Sequence, residues 1–290
     1  MKKLLAIFLV LLCAAAVCSC TLTLRDDYVN TSFTETDPSG KMTLYEYDEV
    51  GKKTVTQYDA EGNVTKISEY SEDRKTIKQT YFNEMGEIRL ITVAEHDKND
   101  YPIKTAFYDP EGNLTREYEY YKNGRVFKDT CFANGNVTDI IEYDENGNCI
   151  LTKRYDETGK FKEHYEWVYD ENGKQLSEKG YDENGELISH YEWVYDENGN
   201  ELGRKETKYK NNELYSERIY GEKGKTISIK EFNETHSIYT EYIFDENGNI
   251  IKFRDFINGE FAHYEYVRDA NGNIISLKEF DINGELIYSE

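Results

Sequence analysis

Three of the five histidines recur in one setting: His164 and His190 open HYEWVYDENG, and His263 opens HYEYVRDANG. On a strand, a His two residues before a Glu puts imidazole and carboxylate on one face, an arrangement able to ligate a metal or relay a proton. In successive copies these pairs fall two strands apart, about 10 Å, which is too far for one ion. The acidic DENGN runs lack the alternating Asp/Asn and distal Glu of an EF-hand loop; their Asp and Asn are turn formers. The chain holds no HExxH, no Gly-x-Ser-x-Gly and no P-loop. No catalytic residue, no metal site, no cofactor and no small-molecule substrate are expected, so the chain reads as a non-enzyme. The remaining chemistry is aromatic. Tyr165, Trp167 and Tyr169 share one strand face, and Tyr191, Trp193 and Tyr195 repeat the pattern. Such rings stack on sugars or on a peptide, and they equally cover a thin sheet. These six are the candidate ligand-binding residues.

The N-terminus carries a second kind of chemistry. Lys2 and Lys3 precede an uncharged apolar run from Leu4 to Val17, too short to span a bilayer comfortably and typical of a secretory signal. Val17-Cys18-Ser19-Cys20 follows. It resembles the lipobox of bacterial lipoproteins, with an aliphatic residue at −3 and a small one at −1. The resemblance implies cleavage before Cys20, lipidation of its sulfur, and stable membrane anchoring through several acyl chains. It also implies a place in the bacterial cell envelope, on the outer face of the cytoplasmic membrane or on the outer membrane. The expected organisation is a signal peptide over 1–19, a lipidated Cys20 with a tether over 20–38, and one repeat domain over 39–290.

The elements that must position the aromatics are short and uniform. YDENG occurs at 143–147, 169–173, 181–185 and 195–199, and degenerate copies (YDAEG at 58–62, YDPEG at 108–112, FDENG at 244–248) run through most of the rest. Seventeen of the 20 glycines, among them Gly259, fall at this period, and Asp73-Arg74, Asp97-Lys98-Asn99, Asn211-Asn212 and Thr235-His236 stand where a glycine is missing. Each copy ends in a tight reversal. It is either a type I′ turn at Asn-Gly, or a type I turn closed by a Gly bulge. Between turns lie about eight residues of period-two alternation, which predicts an all-β chain. Its architecture is tandem β-hairpins in a long antiparallel meander of about 20 strands, open, curled or spiral. In that meander Cys131 and Cys149 are separated by an intervening strand, so their Cα atoms lie at least about 9 Å apart and the thiols stay unpaired.

Composition narrows the function classes. The net charge of −22 becomes −24 once Lys2 and Lys3 leave with the signal, and 26 tyrosines stand against a modest 38% apolar content. A thick aliphatic core and a transmembrane body are excluded, and so is a nucleic-acid partner, because an acidic surface repels phosphates. Tyr-Asp-x-x-Gly-Asn before an aliphatic strand, as in YDAEGNV (58–64) and YDENGNC (143–149), resembles the YD repeat of Rhs-type proteins. YYKNG (120–124) is similar to MORN-variant repeats. In Rhs-type proteins such repeats form a spiral shell around a toxin. That role is not expected here, because the repeat runs to FDINGELIYSE (280–290) with no effector after it and too few strands for an enclosure. A weaker likeness, of WVYDENGN (193–200) to choline- or glucan-binding repeats, lacks their Gly-Trp signature. The expected function is an extended, lipid-anchored binding scaffold for an envelope protein or glycan. The alternative is an immunity- or antitoxin-like element, or a structural spacer.

Overall fold

A computed structural model describes residues 29–232, 238–257 and 260–290. The signal segment, Cys20, Thr235-His236 and Gly259 lie outside the described residues. The chain divides into two units, one ending at Glu87 and one running from Ile88 to Glu290. The first holds β1 (Thr31–Thr36), β2 (Met42–Tyr47), β3 (Lys53–Tyr58), β4 (Val64–Tyr70) and β5 (Thr76–Phe82). The second begins with β6 (Ile88–His96), β7 (Pro102–Tyr108), β8 (Leu114–Tyr120), β9 (Val126–Ala133), β10 (Asn136–Tyr143) and β11 (Cys149–Tyr155). It continues through β12 (Phe161–Tyr169), β13 (Gln175–Tyr181), β14 (Leu187–Tyr195), β15 (Glu201–Lys210), β16 (Glu213–Tyr220) and β17 (Thr226–Phe232). It finishes with β18 (Ile238–Phe244), β19 (Ile250–Ile257), β20 (Glu260–Arg268), β21 (Ile274–Phe280) and β22 (Leu286–Ser289). Within each unit every strand pairs antiparallel with the next, giving the expected hairpin meander. The second unit is an open sheet: among the described residues no pairing joins β6 to β22. The repeat starts earlier than residue 39. TSFTET forms β1 inside the segment expected as tether, and all six of its residues pair with β2 although no turn motif precedes them.

The turn residues explain themselves at Asp144. Its N–H donates to Asn148 O and its carbonyl accepts from Gly147 N. Its Oδ1 accepts the amides of Asn146 and Asn148 at 2.9 and 2.8 Å. Gly147 has φ +93° while Asn146 keeps an ordinary negative φ, so the reversal is a type I turn closed by a left-handed glycine. Type I′ geometry appears at Asn134–Gly135 (φ 52° and 79°) and at Asn211–Asn212 (φ 53° and 61°). A bulge follows the Asp144 turn: Tyr143 pairs with Cys149 but Glu142 pairs with Leu151, so Ile150 is extra.

Neither unit builds an aliphatic core. Val55 and Ala106 are the buried apolar side chains among the described residues, whereas many strand-centre threonines and serines are buried. Larger neighbours lie across these small residues. Gly180, for instance, lets the Tyr165 ring come so close that an added Cβ would sit 3.0 Å from it.

From β12 to β21 one end of the sheet repeats a further pattern. The last residue but one of each strand entering this end is aliphatic, and so is the bulge residue beside its cross-strand partner. Val168 pairs with Ser177 next to the bulged Leu176, Val194 with Gly203 next to Leu202, and Ile219 with Ser228 next to Ile227. Ile243 then pairs with Lys252 next to the bulged Ile251, and Val267 on β20 pairs with Ser276 next to Ile275.

Candidate binding face

All six candidate aromatics fall on one face and are half-buried: Tyr165, Trp167 and Tyr169 on β12, and Tyr191, Trp193 and Tyr195 on β14. They are not level. Across Glu178, Trp167 stands opposite Tyr191 rather than Trp193, so the second ladder is offset by two residues. The cause is the bulge after each turn, which moves the register without changing the spacing in sequence. Within each ladder the rings lie about one strand step apart, with centroids at 6.0 Å for Tyr165–Trp167 and 5.9 Å for Tyr191–Trp193.

The polar tips are held by the sheet itself. Trp167 Nε1–H donates to Glu178 Oε2 at 3.1 Å, Tyr195 O–H to the Gln175 carbonyl at 2.7 Å, and Tyr165 O–H to Glu163 Oε2 at 3.1 Å. Beside them lies a carboxylate that the sequence did not single out. Glu206, on β15, accepts Tyr191 O–H at 2.9 Å and Tyr220 O–H at 2.8 Å, with Lys208 Nζ at 3.1 Å. Burial alone would raise its pKa, but these donors outweigh burial and hold it below the ordinary Glu range. Burial, followed by the hydrogen bond to Glu206, pushes the Tyr191 phenol up to about 12. The Arg204 guanidinium lies 4.6 Å over the Tyr220 ring. The signal for this cluster is the alternation of ELGRKETKYK, which puts Arg204, Glu206 and Lys208 on the aromatic face. The result is a half-buried aromatic face in which Tyr165, Trp167, Tyr191, Tyr195 and Tyr220 are held at the tip, interleaved with carboxylates and a guanidinium group.

A second polar centre lies on β8 and β9. Asp129 is buried and is gripped by Arg116, whose Nε–H donates to Oδ1 at 2.9 Å and whose Nη2 reaches Oδ2. That hydrogen bond raises the Arg116 pKa further, so the guanidinium stays charged. Tyr118, Arg125, Tyr143 and Asn146 help line a shallow hollow of about 370 Å³ beside the pair.

The recurrent histidines have cross-strand partners. His164 stacks on Tyr181 at 4.2 Å and 5°, and His263 on Phe280 at 4.6 Å. His190 Nε2 lies 3.0 Å from Ser177 Oγ, and burial lowers the imidazole pKa. Among the described residues no group of three or more His, Cys, Asp or Glu is placed to hold a metal ion. Cys131 and Cys149 are free thiols on β9 and β11, with β10 between them.

Comparison with known proteins adds little to this geometry. No family model matches the chain, and no curated protein matches it. Among solved structures, TcdB2-TccC3 aligns over 87% of this chain and 22% of its own, at 11% identity and a TM-score of 0.15. TcdB2-TccC3 without its hypervariable C-terminal region aligns over 86% and 19%, at 10% identity and a TM-score of 0.15. A porin-like protein from Bacteroides uniformis aligns over 88% and 96%, at 13% identity and a TM-score of 0.17. This chain thus spans 22% of the length of TcdB2-TccC3, and at these scores none of the likenesses bears on fold or function.

Proposed function

We propose that this chain is a lipid-anchored, non-enzymatic repeat scaffold of the bacterial cell envelope, tethered through Cys20, whose aromatic face binds a glycan. The supporting observation is the preorganisation of that face. The tips of Tyr165, Trp167, Tyr191 and Tyr195 are hydrogen-bonded within the sheet, so the rings lose little freedom when a sugar stacks on them. The offset ladders place Trp167 and Tyr191 at one level, two strand spacings or about 10 Å apart. Carboxylates and guanidinium groups alongside offer hydrogen bonds to hydroxyls, and a neutral glycan feels no repulsion from the acidic chain.

The reading is tested by titrating envelope polysaccharide against the protein while following Trp fluorescence, which reports both tryptophans directly. Saturable quenching, weakened at least tenfold in Trp167→Ala or Tyr191→Ala, supports it. Absence of binding to any envelope glycan, or binding indifferent to both changes, overturns it. Detergent-phase partitioning that survives Cys20→Ala would remove the anchor from the proposal.

A further inference from the structure

We propose that the opposite face of the sheet, from β12 to β21, packs against the same face of a second copy of this chain. The inference goes beyond ligand binding and uses none of the aromatic ladder. Its basis is the aliphatic stripe. Val168, Val194 and Val267 are 52–58% exposed and Ile275 is 62% exposed, with Leu176, Leu202 and Ile227 also open to water. The stripe crosses ten strands, about 43 Å, and bulge offsets move it by no more than one residue pair along the strands. Its most exposed members leave about 600 Å² of apolar surface in water, at the top of the range for the largest patch on a monomer. Covering the stripe in two copies would remove about 1,200 Å², the lower bound of a specific interface.

Charge selects the occupant. In one row of this face Lys179, Lys230 and Arg254 alternate with Glu166, Glu217 and Glu241. The row through the stripe adds Lys205, Lys252 and Lys278 against Glu192 and Glu265. Six cations against five anions make these two rows nearly neutral in a chain of net charge −22. Cross-strand contacts such as Lys205–Glu217 at 2.8 Å and Lys230–Glu217 at 3.3 Å already pair several of them. A basic partner gains nothing here that the acidic remainder of the chain would not offer more strongly. A copy of the same face meets an apolar stripe of equal length with no net repulsion, at the roughly 10 Å spacing of packed sheets.

Sedimentation velocity tests this on the chain from residue 20 onward, with Cys20→Ser to keep it unacylated. A dimer should form as concentration rises to about 100 μM. It should tighten as NaCl goes from about 0.05 to about 0.5 M, because salt screens the acidic remainder and leaves the apolar contact. Val194→Lys, and separately Val168→Lys, should raise the dimer Kd at least tenfold with an unchanged far-UV spectrum. Met85→Lys, at an exposed residue of the first unit, should leave it unaltered. A monomer throughout, open-ended growth to larger species, or a dimer indifferent to both valine changes overturns the proposal.

Discussion

Removing the half-exposed member of the Arg116–Asp129 pair should cost more than removing the buried one. The Asp129 side chain is 1% exposed and that of Arg116 is 46% exposed. In Arg116→Met the carboxylate keeps its burial and loses both charge-assisted donors; the Cys131 thiol, 3.9 Å from Oδ1, is a weak substitute. An uncompensated buried charge of this kind costs about 3–5 kcal/mol. In Asp129→Asn the guanidinium left behind reaches water and the amide oxygen still accepts one hydrogen bond. The loss is then that of a charge-assisted bond, about 1.5–3 kcal/mol. Because each strand contacts only its neighbours, the effect stays near β8 and β9. Native-state hydrogen exchange reads this directly. Arg116→Met should lower protection of β8 and β9 amides by about 10²- to 10⁴-fold, and Asp129→Asn by about 10- to 10²-fold. Amides of β19 to β21 should change less than about threefold. Equal losses in the two variants, or a larger loss in Asp129→Asn, would refute the desolvation reasoning. A uniform loss across the second unit would refute the nearest-neighbour picture.

Gly180→Ala puts a Cβ 2.7 Å from Ser189 Oγ and 3.0 Å from the Tyr165 ring, and should cost about 1–3 kcal/mol in urea unfolding. Gly203→Ala should cost more, since its Cβ meets the Tyr220 backbone carbonyl, which cannot turn aside. A smaller shift in urea midpoint for Gly203→Ala would be inconsistent with this packing. At the turns, hydrogen bonds from Asn63, Asn113, Asn200 and Asn273 hold Asp59, Asp109, Asp196 and Asp269 below the usual carboxylate pKa. A depressed folded-state pKa stabilises above the unfolded value of about 4 and loses that stabilisation as pH falls further. The thermal midpoint should therefore drop below about pH 4, and Asp→Asn at these four turns should flatten the drop. A midpoint that climbs steadily down to about pH 2 would show that relief of charge repulsion dominates instead. In base the sign reverses: Tyr191, raised to about 12 in the fold, withdraws stability as pH rises from about 10 toward 12. Glu206→Gln should bring its ultraviolet titration closer to that of an ordinary phenol.

The period of the chain was the most legible feature in the sequence. Of the seventeen glycines that fall at it, all sixteen within the described residues have positive φ. Where glycine is missing, Arg74 (φ 60°) takes the left-handed position within an expected turn, and Asp100 (φ 66°) takes it one residue after Asp97-Lys98-Asn99. The level of one strand against another was not legible, because a bulge after a turn is a register event and leaves the spacing of aromatics untouched. The sequence shows two copies of one aromatic pattern on one face, and the sheet sets them two residues out of level. Glu206 escaped notice for a related reason: its partners Tyr191 and Tyr220 come from the strands on either side, and only the register brings the three together. β1 was missed because no turn motif introduces TSFTET.

The acidity of the chain takes on a specific meaning once the turns are in place. Thirteen described turns open with an Asp whose carbonyl accepts the amide three residues on, and the ten of them in the second unit put negative charge along the two rims of its sheet. Turn geometry does not require that charge. Asn83 makes the same reversal with an amide, accepting the N–H groups of Met85 and Glu87 at 3.0 and 2.9 Å. What Asp adds over Asn is a row of like charges along each rim, where successive turns lie about 10 Å apart, slightly more than the Debye length of about 8 Å at physiological salt, so that repulsion is felt mainly between adjacent turns. Two such rims repel one another, which disfavours end-on contact between copies. Cations sit instead in the strands, where they pair with glutamates and neutralise a face. The same excess of acid that suggests a basic partner in composition therefore acts, once placed, to direct association away from the rims and toward the sheet's faces.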